Sequence, residues 1–181
     1  DAAPFAEGIT IRQLLNHTSG IMSYTHPKVA GQVREMGRRE WTTDQLIAKI
    51  ATLTPAYEFD PGTGWSYSNS GYILLGAIIE KVSGMSYAEF LRTAILDPLG
   101  LLHTAVDDLA LVVPDRASGY ETSKKAASGF RNAEFIPMSA AGPAGAMRST
   151  AADLLRWQLA LFGGQVLQPA TLAEMTTPAR L

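Results

Sequence analysis

The sequence predicts a mainly α-helical domain, and three observations carry that expectation. Five or six segments place apolar residues at helical spacing, most of them behind a Ser or Thr cap. Strand signals collect in one polar stretch, residues 112–138. A chain of 181 residues with 46% hydrophobic content can bury one core, so residues 1–181 read as a single helical domain with a small hairpin excursion near 118–137.

Along the chain, "TIRQLLNHTSG" sets Ile11, Leu14 and Leu15 at helical spacing behind Thr10, with Gly20 as the expected stop. "WTTDQLIAKIATL" places Thr42 and Gln45 at the spacing at which cap and third residue satisfy each other's backbone N–H, ahead of Leu46, Ile47 and Ile50. After Pro55, "DPGTG" puts Pro61 and Gly62 at the two central positions of a type II turn. "YILLGAIIEKVSG", from Gly71 to Gly84, is apolar nearly all round, which predicts a core helix surrounded by protein. "SYAEFLRTAILDPLG" repeats the capping pattern with Ser86 and Glu89, and Pro98 forbids continuation. "STAADLLRWQLALFGG" offers Thr150 and Asp153 at the same spacing, and a last short helix starts at Pro169, a favourable first-turn residue.

Composition excludes several functions. A net charge of -2 with scattered basic residues gives no footprint for nucleic acid or anionic lipid. No apolar run reaches membrane-spanning length, the longest being interrupted by Gly76, Glu80 and Lys81. The opening "DAAPFAEG" is neither a basic nor an apolar leader segment. Without cysteine there is no thiol nucleophile and no thiolate metal site, and His17, His26 and His103 lack metal-ligand spacing, so no cofactor or metal is implied. His17, at a helix end, reads as a capping or packing residue, and Asp107 with Asp108 as a solvated turn. Trp65 and Tyr24 read as core aromatics, with lining of a cleft as the alternative.

Chemistry is left to Tyr67-Ser68-Asn69, on the approach to the apolar helix. A Tyr-x-Asn triplet arises by chance roughly 0.1 times in such a composition, so by itself it is a weak signal. The structural alternative is that Ser68, Asn69 or Ser70 caps the helix while Tyr67 packs over its first turn.

Three longer segments decide the context. "ITIRQLLNHTSGI", "FDPGTGWSYSNSGYILLGAIIEKVSGMSYAEFLRTAILDPLGL" and "AGAMRSTAADLLRW", in that order, resemble the serine β-lactamase-like family of class C β-lactamases, D-alanyl-D-alanine carboxypeptidases and related esterases. The resemblance implies the helical region of the α/β serine β-lactamase and penicillin-binding-protein fold, lacking most of its sheet. It makes Tyr67 and Asn69 the catalytic candidates. Tyr67 would shuttle the proton of a nucleophilic serine and of the leaving group, and Asn69 would orient the substrate carbonyl and a catalytic lysine. A free phenol has a pKa of about 10, so this role needs nearby lysine charge to favour the phenolate. The implied partner is a small-molecule substrate: a β-lactam, a D-amino-acid peptide or an ester. A periplasmic or secreted setting follows from the resemblance alone.

The sequence departs from the family at two motifs. No serine is followed by lysine three positions on; the nearest imitation is "TSKK", where Thr122 precedes Lys125, and no Lys-Thr-Gly or His-x-Gly triplet occurs. The chain is therefore expected to be an internal piece of a serine hydrolase, inactive alone and prone to self-association through an apolar face stripped of its sheet. The alternative is a non-catalytic family member or a helical binding module.

Overall fold

The computed structural model describes residues 7–179. The leader reading of residues 1–6 lies outside the described residues. Its helices are α1 (Ile11–Leu15), α2 (Thr43–Ile50), α3 (Asn69–Ser83), α4 (Tyr87–Leu91), α5 (Ala151–Phe162) and α6 (Pro169–Thr176). α4 runs on as a π-helical turn, Arg92–Leu96, and four short 3-10 turns join the larger pieces. The strands are β1 (Ala105–Val106), β2 (Tyr120–Thr122), β3 (Phe130–Asn132) and β4 (Met147–Arg148), in two antiparallel two-stranded ladders, β2 with β3 and β1 with β4.

Local signals act largely as expected. Thr42 with Gln45 and Ser86 with Glu89 each form the reciprocal cap that starts α2 and α4, and Thr10 does the same for α1 with Gln13. In the Pro61-Gly62 turn the Thr63 N–H donates to the Asp60 carbonyl at 3.0 Å, with Gly62 at the positive φ (83°) that a type II turn requires. Gly84 closes α3 in the left-handed conformation.

Several expectations are corrected. α1 ends at Leu15, before Gly20, because the Asn16 N–H closes on the Arg12 carbonyl and His17 takes the left-handed backbone (φ 64°). Only the N-terminal half of α3 is buried, at Ser70, Gly71, Ile73, Leu74 and Gly76; Val82 stands in solvent. Thr150 caps α5, but the Asp153 side chain does not answer it. That carboxylate is buried and accepts instead the His103 N–H at 2.8 Å and the Thr104 hydroxyl at 2.9 Å, tying α5 to the chain entering β1. Asp107 is no solvated residue either: its side chain is 4% exposed and pairs with Arg116 and with Arg148 Nε, the latter at 3.3 Å. The hairpin expected near 118–137 is β2–β3, while the β1–β4 ladder was not foreseen, since two-residue strands carry no periodicity.

The core forms where α2 and α3 meet the extended segment after α1. Leu14, Ile21, Met22, Leu46, Ile47, Ile50, Ile73 and Leu74 are all buried there. Each such aliphatic side chain removes apolar area worth about 1.5–3 kcal/mol, which holds the start of α3 rigidly. Leu91, Leu96 and Leu101 make a second cluster against Trp157 of α5. The outer face of α5 presents Leu154, Leu155, Leu159 and Phe162 to solvent. Among the described residues no helix is long and apolar enough to cross a membrane, and no group of three or more His, Cys, Asp or Glu could hold a metal ion.

Candidate active site

The loop that carries Tyr67 is laid along the segment following α1 by backbone hydrogen bonds. Met22 N–H donates to the Ala56 carbonyl at 2.9 Å, Glu58 N–H to Gly20 at 2.8 Å, Gly62 N–H to Thr18 at 2.8 Å and Ser66 N–H to His17 at 3.1 Å. Gly20 makes this approach possible, because a Cβ there would lie 2.0 Å from the Phe59 carbonyl oxygen.

The head of α3 is then pinned by hydroxyl groups. Asn69 N–H donates to Ser23 Oγ at 3.1 Å, and Asn69 Nδ2 to Thr25 Oγ1 at 2.8 Å. The two hydroxyls touch each other at 2.9 Å. Ser70, fully buried, donates from Oγ to the Met22 carbonyl at 2.8 Å and accepts the Tyr24 N–H at 2.9 Å. The buried Ser70 hydroxyl and the Tyr24 and Asn69 N–H groups thus all have partners, as a buried helix start demands.

Tyr67 and Asn69 therefore lie on one rigid junction, and neither is the helix cap. Ser68 is the cap, its Oγ accepting the Gly71 N–H at 3.4 Å. The Asn69 amide faces Thr25 with its Nδ2, and its Oδ1 meets no protein donor among the described residues. Tyr67 is 55% exposed, with its ring against His17 at a centroid distance of 4.6 Å. Two neighbouring phenols are harder to ionise. Tyr24 is pushed up to about 12, by burial first and by the charge of Tyr67 second, and Tyr72 is raised by the same two causes. Tyr24 is a core residue, donating from its hydroxyl to the Ala140 carbonyl at 3.0 Å. Trp65 is not: it is 61% exposed, which overturns the core reading because its loop lies on the surface of the junction.

The sequence profile of the Beta-lactamase family matches residues 1–181. The chain belongs to this family. Its relatives include penicillin-binding protein 4* of Bacillus subtilis (strain 168), 33% identical over 97% of this chain and 40% of that protein. Among solved structures, D-amino acid amidase from Ochrobactrum anthropi SV3, complexed with D-phenylalanine, superposes with a TM-score of 0.79 at 30% identity, covering 94% of this chain and 49% of that one. A D-stereospecific amidohydrolase from Streptomyces sp. gives 0.78 at 36% identity, covering 93% and 51%. The chain spans about two fifths of the length of penicillin-binding protein 4* and of the putative penicillin-binding protein PbpX, also of Bacillus subtilis (strain 168). Its fold is that of the β-lactamase and penicillin-binding-protein family.

Sequence reasoning named Tyr67 and Asn69 and read His17 as a capping or packing residue, without linking it to Tyr67, but passed over Ser23 and Thr25, which hold Asn69. Ser23 and Thr25 sit in a turn closed by the His26 N–H on the Ser23 carbonyl at 2.9 Å, so no strand or helix period marks them as neighbours. Nothing in the sequence connects either to residue 69.

Proposed function

We propose that this chain is the helical part of a serine hydrolase working through an acyl-enzyme, with Tyr67 and Asn69 as its contribution to the active site. The observation that carries the reading is their placement: an exposed phenol and an amide with its Oδ1 unpaired, both fixed at the buried head of α3 by Ser23, Thr25 and His17. A site built on such a junction keeps its geometry through a reaction. The nucleophilic serine, its lysine and most of the sheet would come from sequence outside residues 1–181.

In the proposed reaction the serine Oγ attacks the substrate carbonyl and passes its proton to Tyr67. The tetrahedral intermediate then collapses, breaking the carbonyl–nitrogen bond as Tyr67 returns the proton to the departing amine. Water hydrolyses the resulting ester and frees the serine. Asn69 orients the carbonyl being attacked. The names of the two solved relatives support D-amino-acid amides or peptides over β-lactams and simple esters as the substrate class. For the 181 residues alone, the exposed leucines and Phe162 of α5 imply self-association.

The test is to sequence the coding DNA on both sides of the segment and express the whole reading frame. The reading expects an upstream Ser-x-x-Lys, hydrolysis of D-phenylalanine amide with a burst of product, and a loss of about 10²–10⁴ in kcat on Tyr67→Phe. Flanks without Ser-x-x-Lys, or full activity in the Tyr67→Phe enzyme, would overturn it in favour of a non-catalytic module.

A further inference from the structure

His17 has no part in the reaction just described, yet it holds the Tyr67 segment from three directions. Its carbonyl accepts the Ser66 N–H at 3.1 Å and its ring Nδ1 accepts the Ser68 N–H at 3.2 Å, so the residues on either side of Tyr67 are bonded to one histidine. Its ring lies 4.6 Å from the Tyr67 ring and 5.2 Å from that of Tyr72, with Trp65 edge-on at 6.1 Å. The backbone at His17 is left-handed (φ 64°), a conformation uncommon for a non-glycine residue.

The hydrogen bond to Ser68 dictates the protonation state. Nδ1 can accept only if it carries no proton, so the ring must be neutral with its proton on Nε2. Adding a proton at Nδ1 sets donor against donor. The Ser68 N–H would then be left without a partner at a residue only 2% exposed. The ring contact with Tyr67 survives protonation, but the hydrogen bond does not.

We infer that His17 is a positioning residue for Tyr67, Ser68 and Asn69: its neutral Nε2–H form latches the segment to α1, and its protonation releases it. This deepens the reading of Tyr67 and Asn69 as site residues and rests on that reading for its consequence in catalysis. The titratable groups packed on the imidazole are the Tyr67 and Tyr72 phenols. Glu58 stands one step removed, accepting the Ser66 hydroxyl at 2.9 Å and facing His26 Nε2 at 3.8 Å. Among the described residues no carboxylate lies within ion-pair distance of His17, so nothing compensates its positive charge, and burial holds its pKa below the ordinary 6.5.

The experiment is long-range proton–nitrogen correlation on the ¹⁵N-labelled 181-residue chain, followed from roughly pH 8 to 5, with the Ser68 and Asn69 amides and the Tyr67 ring observed in the same samples. At the upper end His17 should show a protonated Nε2 and a bare Nδ1. The Ser68 and Asn69 amides should then move with the His17 midpoint, below 6.5. His17→Asn places an oxygen where Nδ1 was and tolerates the left-handed backbone, so its Ser68 amide should stay near the neutral wild-type position across the range. His17→Ala should show the released position throughout. A protonated Nδ1 at the upper end, a Ser68 amide out of step with His17, or an undiminished transition in His17→Asn would each overturn the inference. If acid unfolds the whole chain first, His17→Asn must shift that transition to lower pH, and an unchanged midpoint would count against the latch. The tautomer measurement needs no variant. Failure of the hydrolase reading would appear as an inactive full-length protein with the latch intact, so the two results are separable.

Discussion

Gly76 lies where α3 crosses the 3-10 turn Gly142–Ala144, and replacing it with alanine sets two opposing effects against each other. Alanine is favoured over glycine in a helix interior by about 1 kcal/mol. The added Cβ, however, would stand 2.1 Å from Pro143 Cγ and 2.4 Å from Pro143 Cβ, where real contacts essentially never fall below 3.0 Å. A proline ring has no rotamer in which to retreat, so the turn and α3 must part. That movement pulls Ala140 and Ala144 from the core and strains the 3.0 Å hydrogen bond from the Tyr24 hydroxyl to the Ala140 carbonyl. Overpacking of this kind costs about 1–3 kcal/mol, and the lost contacts add to it. The clash therefore wins, and Gly76→Ala should be destabilised by about 1–2 kcal/mol, a fall of about 2–8 °C in Tm for a chain this long. Urea unfolding followed by ellipticity should show a lower midpoint at unchanged slope. In a Pro143→Gly background, which removes both Cβ and Cγ, the same change should no longer destabilise the chain, giving a coupling energy of about 1–3 kcal/mol. A Gly76→Ala chain as stable as the parent would refute the close packing from which this magnitude is worked.

Gly20→Ala faces a backbone oxygen rather than a side chain, at 2.0 Å and with φ 71°, so it should cost about 2 kcal/mol or more, read as a lower urea midpoint. Thr25→Val removes the acceptor of Asn69 Nδ2 at nearly constant shape; stability should change by no more than about 1 kcal/mol while the Asn69 side-chain amide signals shift, and unmoved signals would deny Thr25 its hold. For Asp153, burial works to raise the carboxyl pKa, but the His103 N–H, the Thr104 hydroxyl and Arg156 outweigh it and hold it below its ordinary 3.8. A group depressed on folding stabilises above its unfolded pKa, so its share of stability should disappear as pH falls below about 4. Asp153→Asn should flatten that acid limb, with the two stability profiles compared by thermal unfolding. Leu155→Glu with Leu159→Glu on α5 should shift the chain toward monomer in light scattering without changing its ellipticity, and an unchanged mass would place self-association elsewhere.

What the sequence determined by itself is local. Caps at Thr42 and Ser86, the Pro61-Gly62 turn, the stop at Gly84 and the Pro169 start are written in residues three or four apart, and their hydrogen bonds close within a single turn. The Tyr-x-Asn element was legible for the same reason, as a short pattern in a recognisable context. Tertiary structure decided everything that depends on partners distant in the chain. Asp153, with its cap-box spacing, turned to His103 and Thr104 because a buried carboxylate gains more from a backbone N–H and a hydroxyl than from its own cap. Trp65 went to the surface, and only half of an apolar helix was covered, since burial belongs to the assembled neighbours rather than to hydropathy. The hold on Asn69 by Thr25 and on Ser68 by His17 joins residues 44 and 51 positions apart, and only the packing of α3 against the segment after α1 brings those groups within hydrogen-bond reach.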